Sequence, residues 1–200
     1  MSAWFTSERV AAPVRDAHAF AAAAHAGQLR KYVGTPYIEH PVAVARLLAR
    51  FTHDDAMIMA ALLQDVIEDC GVRRSELVLR FGGDVANLVD ELTNISRPED
   101  GNRTVRKELD RQHLASASPR AKTIKALDLV HNTGTIVRYS PGFARVYLNE
   151  KAGLLEILGD ASDPRAVELA RRVLARARVA LARRLVDEST SAHRASFRPR

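Results

Sequence analysis

Residues 60–70, with the sequence AALLQDVIEDC, constrain the fold more than any other stretch of the chain. The first half of this segment is small and apolar, and the second half carries three carboxylates, Asp65, Glu68 and Asp69. Residues three and four positions apart share a face of an α-helix. The segment therefore predicts one continuous amphipathic helix whose three carboxylates meet within a turn.

Two interpretations of this carboxylate cluster are open. Three carboxylates held this closely repel one another unless a positive charge lies among them. A divalent metal ion can supply that charge, with one carboxylate as its ligand and the others left for proton transfer. A run of charges at a helix end is also typical of a solvated surface, and the segment alone does not separate the two interpretations.

The rest of the chain shows the same helical pattern. Apolar residues recur at three- and four-residue spacing, and no stretch of any length alternates polar and apolar residues as a half-buried strand does. An aromatic content of 6% also favours helix packing over an aromatic-rich β-sandwich. We therefore expect an all-α, single-domain helical bundle. The expected helices cover residues 15–26, 41–51, 55–69, 75–80, 84–95, 104–115, 119–136, 143–158 and 164–186.

Length and composition add a domain layout and a compartment. Two hundred residues suit one domain, which we place at residues 15–187, after a lead-in at 1–14 and before a disordered basic tail at 188–200. The sequence has no apolar run long enough to span a membrane, no signal-peptide pattern and a single cysteine. We expect a cytoplasmic protein that does not contact the membrane.

The positive charge of the chain is concentrated at its end. The formal net charge is +6, and residues 165–200 hold ten Arg against three acidic residues, a balance of +7 that leaves −1 for the rest. We interpret the Arg-rich C-terminal helix as a solvated cap on the bundle. Contact with an acidic partner or with nucleic acid phosphates is the alternative, although we do not expect nucleic acid to be the partner.

Three separated residues are candidate metal ligands: His40 beside Pro41, Asp65, and Asp128 in the segment KALDLVHN. Each is a suitable ligand for a hard or borderline cation. A single His or Asp is more often structural, but the three together form a stronger signal.

Five segments of the chain share the order and spacing of one known family: RKYVGTPYIEHPVAVA (30–45), AALLQDVIED (60–69), LVLRFGGDVANLVDELT (77–93), SPRAKTIKALDLVHN (118–132) and, more loosely, PGFARVYLNEKAGLL (141–155). Together they resemble the HD-domain hydrolases of the RelA/SpoT type, most closely the small stand-alone alarmone hydrolases. The resemblance runs from about residue 15 to 160.

The resemblance implies an activity. It implies a helical domain that binds one manganese ion and removes the 3′-pyrophosphate from guanosine tetra- and pentaphosphate, giving GDP or GTP plus pyrophosphate. By the same resemblance, His40, Asp65 and Asp128 are metal ligands. Glu68 and Asp69 match the acidic pair that orients and deprotonates the attacking water. The residues that the resemblance places at the nucleotide are Arg30, Lys31, Lys125, Asn132 and, more weakly, Tyr147.

The sequence departs from the family at its defining His-Asp dipeptide, which reads Gln64-Asp65. An amide oxygen binds manganese or zinc less strongly than an imidazole nitrogen does, so we expect weakened metal binding and activity. Three outcomes are open: Gln64 still ligates the metal in a slow or retuned hydrolase, another histidine compensates, or catalysis is lost while ligand binding persists. His131, three residues after Asp128, is the candidate for compensation, although packing or solvation is its commoner role.

Other functions remain open at this point. The main alternatives are a catalytically impaired alarmone-binding module and a hydrolase of another phosphorylated nucleotide such as NADPH. Nothing in the sequence resembles the synthetase half of long RelA/SpoT proteins, so we do not expect alarmone synthesis. The sequence leaves the oligomeric state undetermined.

Overall fold

A computed structural model describes the backbone of residues 10–196 and the side chains of residues 10–184. Within these bounds the chain is all-helical, with one isolated bridge between Leu29 and Pro36 in place of any strand. The prediction of an all-α fold is confirmed. The helices are α1 (Ala12–Ala24), α2 (Glu39–Leu48), α3 (Asp55–Leu63), α4 (Val66–Cys70), α5 (Arg74–Leu92), α6 (Arg103–Ala115), α7 (Pro119–Tyr139), α8 (Pro141–Glu156) and α9 (Pro164–Ser196), with a 3₁₀ turn at Pro98–Asp100.

Helices α3 and α7 form the centre of the bundle. Helix α3 packs against α1, α2 and α5, and α7 packs against α2, α5, α8 and α9. Every side chain from residue 57 to residue 63 in α3 is buried, so this helix is apolar on all sides and not amphipathic as predicted. A helix enclosed in this way has a fixed position, and its C-terminal end therefore also fixes the position of the adjoining carboxylate cluster.

The prediction of one continuous helix over residues 55–69 is wrong. Helix α3 ends at Leu63, and Asp65 has φ −103° and ψ −2°, outside ideal helical geometry, before α4 begins at Val66. The hydroxyl of Tyr37 donates a hydrogen bond to Asp65 Oδ2, 3.1 Å away, and His40 contacts Gln64. These tertiary contacts hold the two polar side chains at the break, which a local helical pattern does not reveal.

Other helix boundaries agree more closely with local chemistry. Gly82, with φ 86°, interrupts α5 near the point where the sequence predicted two helices. Ser118 caps α7 by accepting a hydrogen bond from the backbone N–H of Ala121, and the helix begins at residue 119, where the sequence predicted it. The helix expected over residues 75–80 begins one residue earlier, at Arg74, and no side chain caps it.

The chain ends differ from the predicted layout. The backbone of α9 continues to Ser196, beyond its predicted end at Val186 and into the predicted disordered tail. Residues 187–196 contain no Gly or Pro that would break the helix. Residues 1–9 and 197–200, parts of the predicted lead-in and tail, lie outside the described residues. None of the described helices has the length and hydropathy that a membrane-spanning segment needs.

Candidate active site

The predicted site residues converge on one cavity of about 710 Å³, bordered by α2, α4, α7 and α8. The cavity also receives the loop that precedes α2. Gln64 does not line the cavity but is buried beside His40. All the other residues predicted for the site line it: Arg30, Lys31, His40, Asp65, Glu68, Asp69, Lys125, Asp128, Asn132 and Tyr147.

The three candidate metal ligands meet at one nitrogen atom. His40, at the start of α2, places Nε2 3.1 Å from Asp128 Oδ1 and 3.7 Å from Asp65 Oδ2. The Gln64 side chain approaches the same nitrogen, with its Nε2 at 3.3 Å. Turning this amide by half a rotation would present its oxygen, the Gln64 atom able to bind a cation. The sequence-distant residues are therefore brought together as predicted.

The chemistry of this donor set suits a divalent cation. Two carboxylates, an imidazole nitrogen and an amide oxygen are ligands for hard and borderline metals. Among the described side chains, no group of three or more His, Cys, Asp or Glu residues already has the arrangement of a metal site. Instead, Asp128 Oδ1 accepts a hydrogen bond from Asn132 at 2.7 Å, and Lys125 Nζ lies 3.2 Å from Asp128 Oδ2. The cluster therefore suits a divalent cation by its donor types, and small side-chain movements would be needed to bring the donors around the ion.

The two carboxylates differ in their ionisation. Burial alone would raise the pKa of Asp128, but Lys125 and His40 hold it well below its ordinary value. Burial raises the pKa of Asp65 despite the opposing effect of His40, and the charge of Asp128 raises it further. A bound cation would relieve the repulsion between Asp65 and Asp128 and favour the ionised form of both.

His131 does not take the place of the missing imidazole. Its Nδ1 lies 2.8 Å from Nδ1 of His40, on the opposite side of that ring from the carboxylates, and 3.3 Å from a nitrogen of Arg30. Burial, with the nearby charges of His40 and Arg30, lowers the pKa of His131 to about 4. A neutral His131 can accept the hydrogen bond from His40 Nδ1 and so orient Nε2 toward the carboxylates. The compensation hypothesis is therefore not supported by this geometry.

Glu68 and Asp69 lie on α4, exposed at the edge of the cavity. Asn94, just beyond the end of α5, donates hydrogen bonds from Nδ2 to both carboxylate oxygens of Glu68, at 3.1 and 2.9 Å. Sequence reasoning missed Asn94 because no local pattern links it to Glu68. Its contact fixes the orientation of one of the two candidate proton acceptors.

Tyr37 is a second residue that sequence reasoning missed. Its hydroxyl donates to Asp65, and its ring stacks on His25 with centroids 4.6 Å apart. Burial and the charge of Asp65 raise the pKa of Tyr37 far above its ordinary value, so the phenol remains a hydrogen-bond donor. The available signal was proximity in sequence, because Tyr37 lies three residues before His40, in the turn that leads into α2.

The loop before α2 presents cations to the same cavity. A tight turn is held by hydrogen bonds from Arg30 N to Thr35 O and from Gly34 N to Arg30 O, and Gly34 adopts φ 73°. The Arg30 guanidinium donates to Asn132 Oδ1 at 3.0 Å, while Lys31 is exposed at the rim. Both residues therefore line the cavity, and their position beside a nucleotide stays a prediction.

Tyr147 faces the cavity from α8. Its hydroxyl is buried and has no hydrogen-bond partner among the described residues. Burial raises its pKa, and the nearby Thr133, which does not reach hydrogen-bond geometry, opposes this effect in part. A buried hydroxyl without a partner is costly unless a ligand or water satisfies it. The predicted contact between Tyr147 and a ligand would satisfy this hydroxyl.

Comparisons with known proteins point to one family. The family model described as "HD domain" matches residues 17–136. The guanosine-3′,5′-bis(diphosphate) 3′-pyrophosphohydrolases named MESH1 from Xenopus tropicalis and Homo sapiens are each 38% identical, over 134 and 137 residues, covering 66% of this chain and 73% of those proteins. A probable GTP pyrophosphokinase of Mycobacterium leprae is 40% identical over 118 residues, but the match spans only 15% of its length.

A solved structure extends the likeness to the whole fold. It is described as a metazoan ortholog of SpoT that hydrolyses ppGpp and has a role in starvation responses. It aligns with a TM-score of 0.74 and 26% identity, covering 85% of this chain and 98% of that one. The region matched by the family model contains the His40, Asp65 and Asp128 cluster. The chain therefore belongs to the HD-domain hydrolases of the RelA/SpoT type.

Proposed function

We propose that this protein is a metal-dependent guanosine-3′,5′-bis(diphosphate) 3′-pyrophosphohydrolase. The observation that carries the proposal is the convergence of His40, Asp65 and Asp128 beside the Glu68–Asp69 pair, in one cavity rimmed by Arg30 and Lys31. The names of the relatives support a guanosine polyphosphate as the substrate more than they support NADPH.

The reaction is a hydrolysis at the ribose 3′ position. The oxygen of a water molecule forms a bond to the phosphorus attached to the 3′-oxygen, and the bond between that phosphorus and the 3′-oxygen breaks. The water loses one proton to a base, and the 3′-oxygen gains one. The products are GDP or GTP and free pyrophosphate.

His40, Asp65 and Asp128 would hold the metal ion, together with the amide oxygen of Gln64. A divalent ion, which we propose is manganese, supplies Lewis-acid activation of the water and the phosphoryl group when bound. Tyr37 and His131 orient two of these ligands through hydrogen bonds to Asp65 and His40. Because Gln64 offers a neutral oxygen in place of a nitrogen, we expect weaker metal binding and slower turnover than a histidine would give.

The remaining side chains supply proton transfer and charge stabilisation. Glu68, oriented by Asn94, is the better-placed proton acceptor, and Asp69 extends the same negative edge. Lys125 and Arg30 counter the negative charge that develops on the phosphoryl oxygens. Asn132, which bonds both Arg30 and Asp128, couples the nucleotide side of the cavity to the ligand cluster.

The test is release of pyrophosphate from guanosine tetraphosphate by purified protein with added manganese. We expect release by the natural sequence and its loss in Glu68→Gln, which keeps the side-chain shape but removes the base. Glu99→Gln, in the exposed 3₁₀ turn, is the matched control and should keep full activity. Absence of release by metal-loaded protein would contradict the proposal.

Gln64 favours a second candidate, a module that binds the alarmone without turning it over. This candidate predicts measurable guanosine tetraphosphate affinity with no pyrophosphate release, and turnover that appears in Gln64→His. The same two assays therefore separate the two functions.

A further inference from the structure

A second cavity, of about 440 Å³, lies beside the first between the end of α5, α6 and α8. Asn94, Lys125 and Lys151 line both cavities and form the junction between them. Leu92, Leu114 and Leu154 contribute apolar surface to the second cavity. Neither this cavity nor Lys151 has a part in the proposed hydrolysis.

Most cations around the two cavities are neutralised by a carboxylate. Each of four lies within 3.2 Å of an acidic side chain. The pairs are Lys107–Asp110 at 3.0 Å, Arg111–Glu108 at 2.7 Å, Arg103–Glu150 at 2.7 Å and Lys125–Asp128 at 3.2 Å. These pairs neutralise the four cations, so the positive charge left around the two cavities comes from Arg30 and Lys31 at the rim of the first cavity and from Lys151 at the junction.

Lys151 differs from these cations. Among the described residues, no carboxylate lies within 4.0 Å of its ammonium group and no hydrogen bond is formed by it. Its ammonium instead faces the ring of Tyr147, whose centroid lies 5.1 Å from Nζ. Burial and the nearby charge of Lys125 lower the pKa of Lys151 to about 8, so most of it is still protonated at pH 7.

Lys151 and Tyr147 stand four residues apart on one face of α8. One is an ammonium without an anionic partner, and the other is a buried hydroxyl without a hydrogen-bond partner among the described residues. Retaining both groups in a partly desolvated position is unfavourable unless an external group binds them. A phosphate oxygen satisfies both an ammonium and a hydroxyl donor.

We propose that Lys151, with Tyr147 and Lys125, forms a diphosphate-binding subsite where the first cavity meets the second. This inference rests on the proposed function, because it places a diphosphate group of that substrate or product. Lys125 is already paired with Asp128, so Lys151 contributes the uncompensated charge. The second cavity provides room for the distal phosphate. The subsite is separate from the His40, Asp65 and Asp128 cluster that would hold the metal.

The experiment is calorimetric titration of inorganic pyrophosphate into the full chain. The protein is first stripped of metal, so that a metal ion bound by His40, Asp65 and Asp128 does not contribute to pyrophosphate binding. We expect Lys151→Met to weaken pyrophosphate binding by roughly 10-fold or more, and Lys151→Arg to retain most of it. Arg111→Met is the matched control, because it removes one positive charge from the same cavity but from a residue already paired with Glu108. Its affinity should stay within about 2-fold of the natural protein.

Three results would overturn the subsite: no pyrophosphate binding by the natural protein, equal binding by Lys151→Met, or an equal loss in Arg111→Met. A parallel titration with GDP identifies the diphosphate that binds there. If Lys151→Met weakens the binding of pyrophosphate alone, the subsite holds the released group. If it weakens the binding of both pyrophosphate and GDP, the subsite also accepts the 5′-diphosphate. Melting temperatures of all variants confirm folding.

The titration does not depend on turnover. Lys151-dependent pyrophosphate binding in a protein that fails to hydrolyse guanosine tetraphosphate would contradict the proposed function and support the subsite. Hydrolysis accompanied by Lys151-independent pyrophosphate binding would remove the subsite alone.

Discussion

Two regions of the same cavity differ in how far their polar side chains are satisfied by other protein groups. One is the ligand cluster of His40, Asp65 and Asp128, and the other is the α8 face, formed by Tyr147 and Lys151. In this cluster, each of the three side chains contacts a polar group from another segment of the chain: Asp65 accepts a hydrogen bond from Tyr37, and His40 contacts both His131 and Asp128. On the α8 face, the Tyr147 hydroxyl has no hydrogen-bond partner among the described residues, and the Lys151 ammonium faces the Tyr147 ring instead of a carboxylate. The donor types of the cluster suit a metal ion, whereas the α8 face holds hydrogen-bond donors that a bound ligand would satisfy.

The largest expected effect is at the centre of the cluster. Asp128→Asn removes the charge that faces His40 and Lys125 while keeping the side-chain shape. We expect pyrophosphate release to fall by more than ~100-fold, beyond the loss typical of an outer partner, with a matching fall in bound manganese measured by elemental analysis. Asp84→Asn, an exposed residue paired with Arg120, serves as the control. An unchanged manganese content in Asp128→Asn would contradict the role of the cluster as a metal site, and with it the contrast with the α8 face.

A gain of function is the second expected effect. Gln64→His should place an imidazole against His40 Nε2, where the amide now lies 3.3 Å away. We expect manganese affinity to rise by roughly 10-fold or more, measured by calorimetric titration, with faster turnover. Gln112→His introduces the same residue on the exposed surface of α6 and should change neither value. An unchanged affinity in Gln64→His would show that position 64 does not reach the metal.

Removing one outer partner of the cluster should have a smaller effect. Tyr37→Phe deletes the hydroxyl that donates to Asp65 Oδ2 and keeps the ring stacked on His25. We expect manganese affinity to fall by about 10-fold, the lower end of the range for such partners. Tyr32→Phe removes a hydroxyl from the rim of the same cavity and should be close to neutral. Equal effects in the two variants would contradict an orienting role for Tyr37.

The smallest expected effect concerns stability at the α8 face. The pKa of Lys151 falls from 10.5 to about 8 on folding, so burying its charged form lowers the free energy of unfolding. This cost is present in full below pH 8. Between pH 8 and 10.5 the unfolded chain binds more protons than the folded one, so the free energy of unfolding rises with pH. We expect Lys151→Met to be about 1–3 kcal/mol more stable than the natural protein at pH 7, a gain lost toward pH 10.5. Denaturant titrations at several pH values measure this difference.

Arg111→Met is the control for this pH dependence as well. Its charge is paired with Glu108 and it should show no pH-dependent gain over this range. A Lys151→Met gain that persists at pH 10.5 would point to better packing and not to the removal of an unpaired charge.

The fold and much of the site could be predicted from the sequence because their signals are local. Helical periodicity predicted the all-α bundle, and the family resemblance gave His40, Asp65 and Asp128, which the structure brings together. The break at Gln64–Asp65 could not be predicted in this way. It depends on Tyr37 and α2, which lie far away in sequence.

The same limit explains the residues that were missed or misinterpreted. Asn94 contacts Glu68 across 26 positions, and the unpaired state of Lys151 depends on which carboxylates other helices bring near it. His131 shares a helix with Asp128, so spacing alone suggested a ligand. The structure shows that Nε2 of His40 faces the carboxylates while Nδ1 faces His131, so His131 lies on the other side of the His40 ring. Roles defined by orientation need tertiary structure.

The central claim is that one cation binds among His40, Asp65 and Asp128, and anomalous diffraction from manganese-soaked crystals tests it most directly. We predict a single anomalous peak at roughly 2.0–2.3 Å from His40 Nε2 and from one oxygen of each carboxylate. A peak at Glu68 and Asp69 without His40, or no peak in this cavity at saturating manganese, would contradict this claim.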